Sequence, residues 1–546
     1  MALFGSRREW YRNAVLYALD VKTFQDSNGD GIGDLQGVLA RLDHFKYLGI
    51  DCIWLLPFYP SPLRDNGYDV SDYCAVDPRL GTMEDLEALV REARKLNIRL
   101  LIDLVINHTS DQHPWFKNAR SARDAEFRHY YVWHEEPDHQ KVKVEFDHSE
   151  TSVWEYTPET GAYYLHRFYK EQPDLNLGHP DVQNEILRIM DHWIDKGVSS
   201  FRIDAAHMIT DPVDVENTNY HEMHKLFGKM RKHLESRSKD GVLLAEANVE
   251  PEKLWDYFTD GEERNARMHM LFNFIANKYA MLAVARHSGS ALAKGLNIYS
   301  PVEVGHWVNF VRHHDELNTD MLEPQEKEEV FMAFAPEEHM RILRGVRRRF
   351  PPMVNNERRR IELMYNISFS LPGIPLLNYG EEIGMGDDLS LPGRAAVRTP
   401  MQWDASKNAG FSSAAPRDLY LPVIDHGTYS YERINVEAQR KDKNALLHHI
   451  RRLIKQRKAH LIIGSGSWRT VATDDDQVFA LLYESGKKAL LVVHNLSGEE
   501  LCVRLDIGAA PQRLKESVQW QKHKDSIDLN ALKLMPYASR WIEMEW

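Results

Sequence analysis

The sequence has few cysteines, and they lie far apart. Three occur among 546 residues, at Cys52, Cys74 and Cys502. An odd number without metal-binding spacing argues against a disulfide framework and against a zinc site. Such usage is typical of a reducing compartment, so we expect a cytoplasmic protein.

Long apolar runs and an excess of positive charge are also missing. No uninterrupted apolar run reaches membrane-spanning length, and the first residues lack the apolar segment of a signal peptide. We therefore expect an unprocessed chain with no membrane partner. The formal net charge is -13. Because nucleic-acid binding usually leaves a basic footprint, we expect no nucleic-acid partner either.

Short apolar runs alternate with helical patterns up to about residue 455. This alternation is typical of βα units around a parallel sheet. The predicted strands are residues 14–19, 52–56, 98–104, 200–203, 242–245, 268–274, 308–312 and 374–378. Eight such strands favour an α/β fold of the (β/α)8 TIM-barrel type over an open doubly wound sheet.

Two helices can be predicted, each with the position of one of its ends. Apolar residues at helical spacing between 35 and 48 stop at Gly49, a favourable residue just past a helix end. Thr82 and Asp85 have the spacing of a capping box in front of the next apolar face.

Three segments depart from the barrel pattern. Residues 108–180 are too long for a βα loop, which predicts a small inserted domain after strand three. Residues 322–360 carry two basic runs, and in an acidic chain a solvated helical excursion is favoured over a polyanion site. After about residue 461 the pattern predicts a C-terminal antiparallel β domain of sandwich type, over 461–546. The barrel would comprise 1–107 and 181–460.

Three carboxylates end or closely follow predicted strands: Asp204, Glu246 and Asp315. A carboxylate at the C-terminal end of a barrel strand indicates catalysis rather than structural support. Carboxylates brought together in one site are the usual means of breaking glycosidic bonds. This chemistry requires no organic cofactor.

Five short motifs follow one another in a fixed order. They are Asp-Leu-Val-Ile-Asn-His at 103–108, Gln-Pro-Asp-Leu-Asn at 172–176, Phe-Arg-Ile-Asp at 201–204, Glu-Ala-Asn at 246–248 and His-Asp at 314–315. Their order resembles the α-amylase family. Four longer segments, at 61–69, 108–116, 268–274 and 397–403, are similar to the trehalose synthases of that family. The resemblance covers essentially the whole chain.

The resemblance implies retaining α-glucosyl transfer that interconverts maltose and trehalose, with side hydrolysis to glucose. Asp204 would form a covalent β-glucosyl enzyme, Glu246 would act as general acid and base, and Asp315 would favour the transition state. The alternative is an exo-acting α-glucosidase or a transglucosylase acting on α-1,4-linked oligosaccharides or sucrose. The partner is in each case a disaccharide or short oligosaccharide, and assembly into a homo-oligomer stays open.

The resemblance also implies a set of sugar-binding residues: Asp65, Tyr68, Asp103, His108, Gln172, Arg202, His314 and Arg398. Arg202 precedes the nucleophile by two residues, so it shares its face of the strand and is expected to keep Asp204 ionised. Asp65 and Arg398 are expected to close the pocket behind the non-reducing glucose.

A structural metal is predicted in the segment 26–34, where oxygen side chains alternate with glycines in a way that suits calcium. The resemblance implies ligation by Asp26, Asn28, Asp30, the Ile32 carbonyl and Asp34, with Mg²⁺ as an alternative ion. A second calcium between barrel and inserted domain would use Asn107, Asp174 and a backbone carbonyl near His207.

Two departures from the family pattern lie beside the predicted site. His313 stands where asparagine is usual, and Ala205-Ala206-His207 follows the nucleophile in place of the segment typical of trehalose synthases. In relatives, valine directly after the nucleophile is frequent in enzymes that cut α-1,6 bonds and alanine in those for α-1,4 and related linkages, so the resemblance implies the latter. Both departures bear on acceptor binding, which separates an isomerase from a hydrolase.

Overall fold

The computed structural model describes residues 7–137, 150–210, 223–259, 266–298, 305–508, 510–519 and 527–546. The described strands, in chain order, are β1 (Leu16–Leu19), β2 (Cys52–Leu55), β3 (Arg99–Leu104), β4 (Trp133–His134), β5 (Trp154–Thr157), β6 (Ala162–Leu165), β7 (Ser200–Ile203), β8 (Leu243–Ala245), β9 (Met270–Phe272), β10 (His306–Phe310), β11 (Leu317–Asn318), β12 (Arg341–Ile342), β13 (Gly345–Val346), β14 (Ile374–Asn378), β15 (Ser467–Thr470), β16 (Ala472–Thr473), β17 (Val478–Ser485), β18 (Lys488–Asn495), β19 (Leu501–Val503), β20 (Leu505–Asp506), β21 (Arg513–Gln519), β22 (Leu532–Leu534) and β23 (Ser539–Glu545).

The described α-helices are α1 (Val21–Phe24), α2 (Leu35–Ala40), α3 (Leu42–Leu48), α4 (Met83–Lys95), α5 (Pro114–Ala119), α6 (Pro180–Asp195), α7 (Ala206–Thr210), α8 (Met223–Arg237), α9 (Pro251–Phe258), α10 (Phe274–Arg286), α11 (Gly289–Asn297), α12 (Pro324–Phe334), α13 (Phe350–Met353), α14 (Arg358–Ser370), α15 (Val436–Lys441), α16 (Leu446–Ala459) and α17 (Ile462–Ser465). Within the described ranges, none of them combines the length and apolar character needed to cross a membrane.

Eight strands close into a parallel barrel in the order β1, β2, β3, β7, β8, β9, β10 and β14. β14 returns beside β1, with Leu376 opposite Leu16. All eight predicted strands are present, and their ends lie within two residues of the predicted ends. The barrel is confirmed, and the carboxyl ends of its strands gather the predicted carboxylates at one mouth.

The predicted helix ends are also found. Gly49 ends α3 in the left-handed conformation, at φ 92°. Thr82 and Asp85 form the capping box of α4. The apolar stretch between 35 and 48 is two helices rather than one, because Arg41 leaves the helical conformation at φ -104° and ψ 10°.

The segment between β3 and α6 contains a three-stranded antiparallel sheet in the order β4-β6-β5, which we call the inserted sheet. Residues 138–149 of the predicted inserted domain lie outside the described residues. Isolated bridges pair His108 with Asp174 and Tyr131 with Leu175. The first bridge joins the inserted segment to the chain that leaves β3, and the second lies within the inserted segment.

The prediction of a solvated helical excursion at 322–360 was wrong in part. The region contains α12, but also β12 and β13, which join the preceding β11 in a three-stranded sheet in the order β11-β13-β12. Arg349 is buried and donates to the Tyr379 carbonyl at 2.8 Å. Arg347 donates to the Leu389 carbonyl at 3.1 Å. These arginines satisfy backbone carbonyls that come from distant sequence, which a local charge pattern does not reveal.

The C-terminal region is an antiparallel sheet in the order β15-β17-β18-β23-β21, as predicted. Side chains alternate along its strands. Tyr483 and Trp541 belong to the core that the sheet shares with the barrel. Leu482 and Ile542 belong to a second core on the opposite face. The sheet therefore lies between two apolar layers.

Candidate active site

One buried guanidinium joins three carboxylates at the barrel mouth. Arg202, in β7, donates through Nη1 to Asp103 Oδ1 at 2.5 Å. The same nitrogen donates to Asp204, and Nη2 donates to Glu246. Arg202 is only 1% exposed. Its neighbours come from β3, from the end of β7 and from the end of β8, so the closed barrel itself assembles this cluster.

The ionisation of Asp204 depends on the whole cluster. Burial raises its pKa well above the usual value, Glu246 and Asp103 add to the rise, and Arg202 opposes it. The expectation that Arg202 keeps Asp204 ionised is not met, because burial and the neighbouring carboxylates outweigh the lowering of the pKa by Arg202. Carboxylates outnumber the guanidinium that joins them, and their mutual repulsion disfavours ionising all of them at once.

The third acid, Asp315, lies among positive groups. Arg398 Nη2 contacts Asp315 Oδ1 at 2.8 Å, and Arg394 Nη1 contacts the same oxygen at 3.0 Å. His314 Nε2 lies 3.0 Å from Asp315 Oδ2. Burial opposes ionisation, but Arg394, His314 and Arg398 outweigh it and hold the pKa of Asp315 well below its usual value. Asp315 is therefore a permanent anion facing the pocket.

Of the predicted sugar-binding residues, Asp65, Tyr68 and His108 line the pocket, whereas Asp103, Gln172, Arg202, His314 and Arg398 do not. Gln172 Nε2 donates to Asp65 Oδ2 at 2.9 Å and lies 3.1 Å from His108 Nε2. The Tyr68 hydroxyl lies 2.8 Å from His314 Nε2, and the two rings stack with centroids 5.7 Å apart. Burial lowers the pKa of His108 to about 4. His108 is thus neutral near pH 7 and can exchange hydrogen bonds with hydroxyl groups.

A pocket of about 810 Å³, counted with its open mouth, connects these groups. Asp65, Asp204, Glu246 and Asp315 all contribute to its lining. The carboxylates and histidines that line it suit a sugar held by hydrogen bonds.

The two departures from the family pattern both contribute to the pocket. His313 is buried, and its ring meets Phe274 edge to face at 5.8 Å. His207 lies on the outer side, with Nδ1 3.5 Å from the Glu246 carbonyl. Ala205 has a φ of 44°. A β-branched residue is strained in that left-handed region, so alanine after the nucleophile has a backbone reason as well as the linkage preference we expected.

Several pocket residues were missed in the sequence. Arg394 holds both Asp315 and Glu316, at 3.0 Å and 2.8 Å. Arg394 belongs to none of the motifs, and its partner Glu316 lies 78 residues earlier in the sequence. Asn248 also lines the pocket. It belongs to the Glu-Ala-Asn motif, so its position two residues after Glu246 was a signal that could have been used.

The predicted metal loop is held together by its own hydrogen bonds. Asp26 accepts from the N–H groups of Gly29 at 2.7 Å and Gly31 at 2.9 Å. Asp34 caps α2 through Gly37 N at 2.6 Å. Asn28 Nδ2 donates to Asp30 at 3.1 Å. The all-oxygen donor set suits a hard cation in its chemistry, although these oxygens already accept N–H groups.

A guanidinium occupies the place predicted for a second calcium. Arg167 Nε lies 3.1 Å from Asp174 Oδ2, and Arg167 Nη1 donates to the Met208 carbonyl. Asn107 Nδ2 donates to Asp174 Oδ1 at 3.2 Å. The His207 carbonyl accepts from Thr210 Oγ1 at 3.2 Å instead of facing an ion. The second metal prediction therefore does not fit, because a side-chain cation already joins the oxygens it would have bound.

Comparisons with known proteins agree with this geometry. Residues 20–466 match the family description "Alpha amylase, catalytic domain", and residues 478–540 match "Alpha-amylase SusG C-terminal domain". A closed parallel barrel with carboxylates at its strand ends defines a glycosidase-type enzyme. The chain belongs to the α-amylase family.

Named relatives within the family are similar over most of their length. A trehalose synthase from a Pimelobacter species is 38% identical over 92% of this chain and 90% of the relative. The trehalose synthase/amylase TreS of Mycolicibacterium smegmatis is 39% identical over 89% of this chain and 84% of its own. The solved trehalulose synthase MutB of Pseudomonas mesoacidophila has a TM-score of 0.77 at 26% identity, covering 98% and 99% of the two chains.

Proposed function

We propose that the enzyme interconverts maltose and trehalose by retaining transfer of a glucosyl group within one binding event. The observation that carries the proposal is the pair Asp204 and Glu246, which bind adjacent nitrogens of the Arg202 guanidinium. Retaining enzymes need their two carboxyl groups only about 5 Å apart. The similarity to trehalose synthases over most of the chain supports this substrate pair.

In the first step Asp204 attacks the anomeric carbon of the non-reducing glucose, and the glycosidic C–O bond breaks. Glu246 gives its proton to the departing oxygen, so glucose leaves as a neutral alcohol. This step requires Asp204 ionised and Glu246 protonated, and repulsion between neighbouring carboxylates disfavours the state in which both are ionised. Arg202 then stays paired with the carboxylates as the ester forms.

In the second step the released glucose turns so that its anomeric hydroxyl faces the ester. Glu246 removes the proton of that hydroxyl, its oxygen attacks the anomeric carbon, and the Asp204 ester bond breaks. Two inversions leave the α configuration, and the product is trehalose. Water attacking in place of glucose gives two glucose molecules, the expected side reaction.

The groups around Asp315 bind the glucosyl unit through both steps. Asp315 is held anionic by Arg394 and Arg398, so it stabilises the positive charge that develops on the sugar ring in the transition state. Asp65, Gln172 and His108 form a hydrogen-bonded group on the same wall. These residues support an exo mode, with glucose at the closed end.

Calcium binding by residues 26–34 is a further part of the proposal. Its support is the chemistry of the donor set, with oxygens from Asp26, Asn28, Asp30 and Asp34 and the Ile32 carbonyl in one short loop. The ion would stabilise the loop and take no part in the reaction. Mg²⁺ is the alternative occupant.

Labelled maltose separates transfer within one site from hydrolysis. Maltose carrying ¹³C in both glucose units is incubated with the enzyme and an excess of unlabelled glucose, and carbon NMR follows the products. We expect trehalose labelled in both units. Free glucose as the main product would instead assign an exo-acting α-glucosidase, and singly labelled disaccharide would assign a general transglucosylase.

A further inference from the structure

A buried lysine lies directly behind the pocket. Lys278, in α10, is only 3% exposed, and its Nζ donates to Asn248 Oδ1 at 3.0 Å. Asn248 follows Glu246 by two residues and lines the pocket. The lysine therefore contacts a pocket residue without lining the pocket itself.

This contact fixes which way the Asn248 amide points. The ammonium form of lysine has donors and no acceptor, and Asp320 favours that form, so the amide turns its oxygen toward Lys278. The Asn248 NH₂ group then remains as the polar end available to a ligand. Asn248 thus offers a hydrogen-bond donor to the pocket that Glu246 also lines.

Two further pocket residues are held from behind in a related way. Asn318 Nδ2 donates to Asp320 at 3.3 Å, and Arg344 Nε lies 3.1 Å from Asp320 Oδ2. Asn318 and Arg344 both line the pocket, whereas Asp320 does not. Asp320 also stabilises the charge on Lys278. We call Asn248, Asn318 and Arg344 the acceptor wall, since each of them lines the pocket and is held by Lys278 or Asp320.

Lys278 is costly for the fold. Burial lowers its pKa to about 7, with Asp320 opposing the change. An apolar side chain of the same length would avoid that desolvation. A role in the site accounts for a lysine at this position, whereas packing alone would favour an apolar side chain.

We propose that Lys278 is a positioning residue for acceptor binding: it orients the Asn248 amide so that the acceptor wall presents donors to the glucose unit that leaves and re-attacks. The inference rests on the proposed function, and it adds the residue that shapes the outer subsite. Lys278 acts through Asn248 and does not contact the sugar.

The test compares a substrate that needs the acceptor wall with one that does not. Maltose has a glucose leaving group, whereas 4-nitrophenyl α-glucoside has an aromatic one, so the ratio of their kcat/KM values reports on this wall. We expect Lys278→Met to lower the ratio about tenfold, the effect of one misplaced hydrogen bond. Lys278→Arg should restore most of it. Lys294→Met, on the neighbouring helix α11, is the matched control and should leave the ratio unchanged.

A double-mutant cycle identifies the route through Asn248. Asn248→Ala should lower the same ratio, and adding Lys278→Met to it should change the ratio less than about twofold, because the two residues act as one unit. Independent, multiplying effects would overturn the proposal. So would a Lys278→Met enzyme that loses activity on both substrates equally, since that result indicates a purely structural lysine. A wild-type enzyme that hydrolyses both substrates without forming trehalose contradicts the proposed function, yet leaves the Lys278 comparison measurable.

Discussion

At the residue scale, Arg202 determines the charge of the catalytic cluster. Its guanidinium contacts Asp103, Asp204 and Glu246 at once. Repulsion among these carboxylates disfavours ionising all three at once, and the first chemical step requires one proton among them, on the acid.

The acid role of Glu246 can be tested through the leaving group. We expect Glu246→Gln to slow maltose turnover by about 100- to 10,000-fold, the usual contribution of general acid–base catalysis. Release of 4-nitrophenol in the first step should fall much less, because nitrophenolate leaves without a proton. Stopped-flow absorbance measures that release. Glu252→Gln, on the exposed side of α9, is the control, and equal losses on both substrates would contradict the assignment.

A second residue-scale prediction concerns pH and stability. Burial raises the pKa of Glu381 to about 8, and it accepts a hydrogen bond from Asn378 N at 2.7 Å. Between the ordinary carboxyl pKa and this value the folded state binds more protons than the unfolded state, so the unfolding free energy falls as pH rises.

Glu381→Gln should flatten this dependence. Glutamine can accept the same N–H bond and cannot ionise. In the wild type the unfolding free energy falls between pH 5 and 8. We expect this fall to become shallower in the variant by up to about 1.4 kcal/mol per pH unit, the value for one proton. Urea unfolding at several pH values measures it. An unchanged slope would show that Glu381 is ionised throughout.

At the element scale, Arg167 joins the inserted segment to the chain after the nucleophile. It follows β6 by two residues, pairs with Asp174, and donates to the Met208 carbonyl in α7. Both charged side chains are almost fully buried, at 3% and 1% exposure. The Arg167 guanidinium thus supplies the positive charge at this junction.

Removing that cation should create a need for metal. We expect Arg167→Ala to lower the unfolding free energy by about 3–5 kcal/mol, the usual result of leaving one buried charge unpaired. The vacated space would be lined by oxygens of Asn107, Asp174 and Met208, so millimolar calcium should raise the Tm of the variant more than that of the wild type. Calorimetry with calcium and with EDTA measures the difference. Equal calcium responses would contradict our account of this junction.

The loop between α1 and α2 gives the complementary prediction. If residues 26–34 bind calcium, the purified enzyme should carry metal detectable by mass spectrometry, and EDTA should lower its Tm. Asp30→Ala should abolish both effects while leaving the catalytic cluster intact. Asp425→Ala, at an exposed position, should behave as wild type. An enzyme without bound metal and without a response to EDTA would refute the site.

At the scale of the whole molecule, sequence and structure agree where local patterns carry the information. Buried parallel strands are continuous apolar runs, so all eight barrel strands could be predicted, as could the cap at Thr82. Arg167, Arg394 and Lys278 could not. Their importance depends on partners that are distant in sequence, and the closing barrel brings them together.

The C-terminal sheet gives the last prediction, because it shares a core with the barrel. Tyr483 donates to the Ser370 carbonyl at 2.6 Å, and His494 lies 2.8 Å from Ser370 Oγ. Trp541 is buried in the core shared with the barrel, while its neighbour Ile542 faces the second core. The two regions should therefore unfold as one cooperative unit.

Calorimetry of two neighbouring variants tests that cooperativity. Trp541→Ala and Ile542→Ala remove apolar side chains from opposite faces of β23, and each should cost about 2–5 kcal/mol. We expect one calorimetric transition in the wild type and in both variants, shifted to lower temperature by either change. If the sheet folded independently, Ile542→Ala would produce a separate transition at lower temperature and leave the Tm of the barrel unchanged. A single shifted transition would mean that a substitution on the outer face of the sheet also destabilises the catalytic barrel.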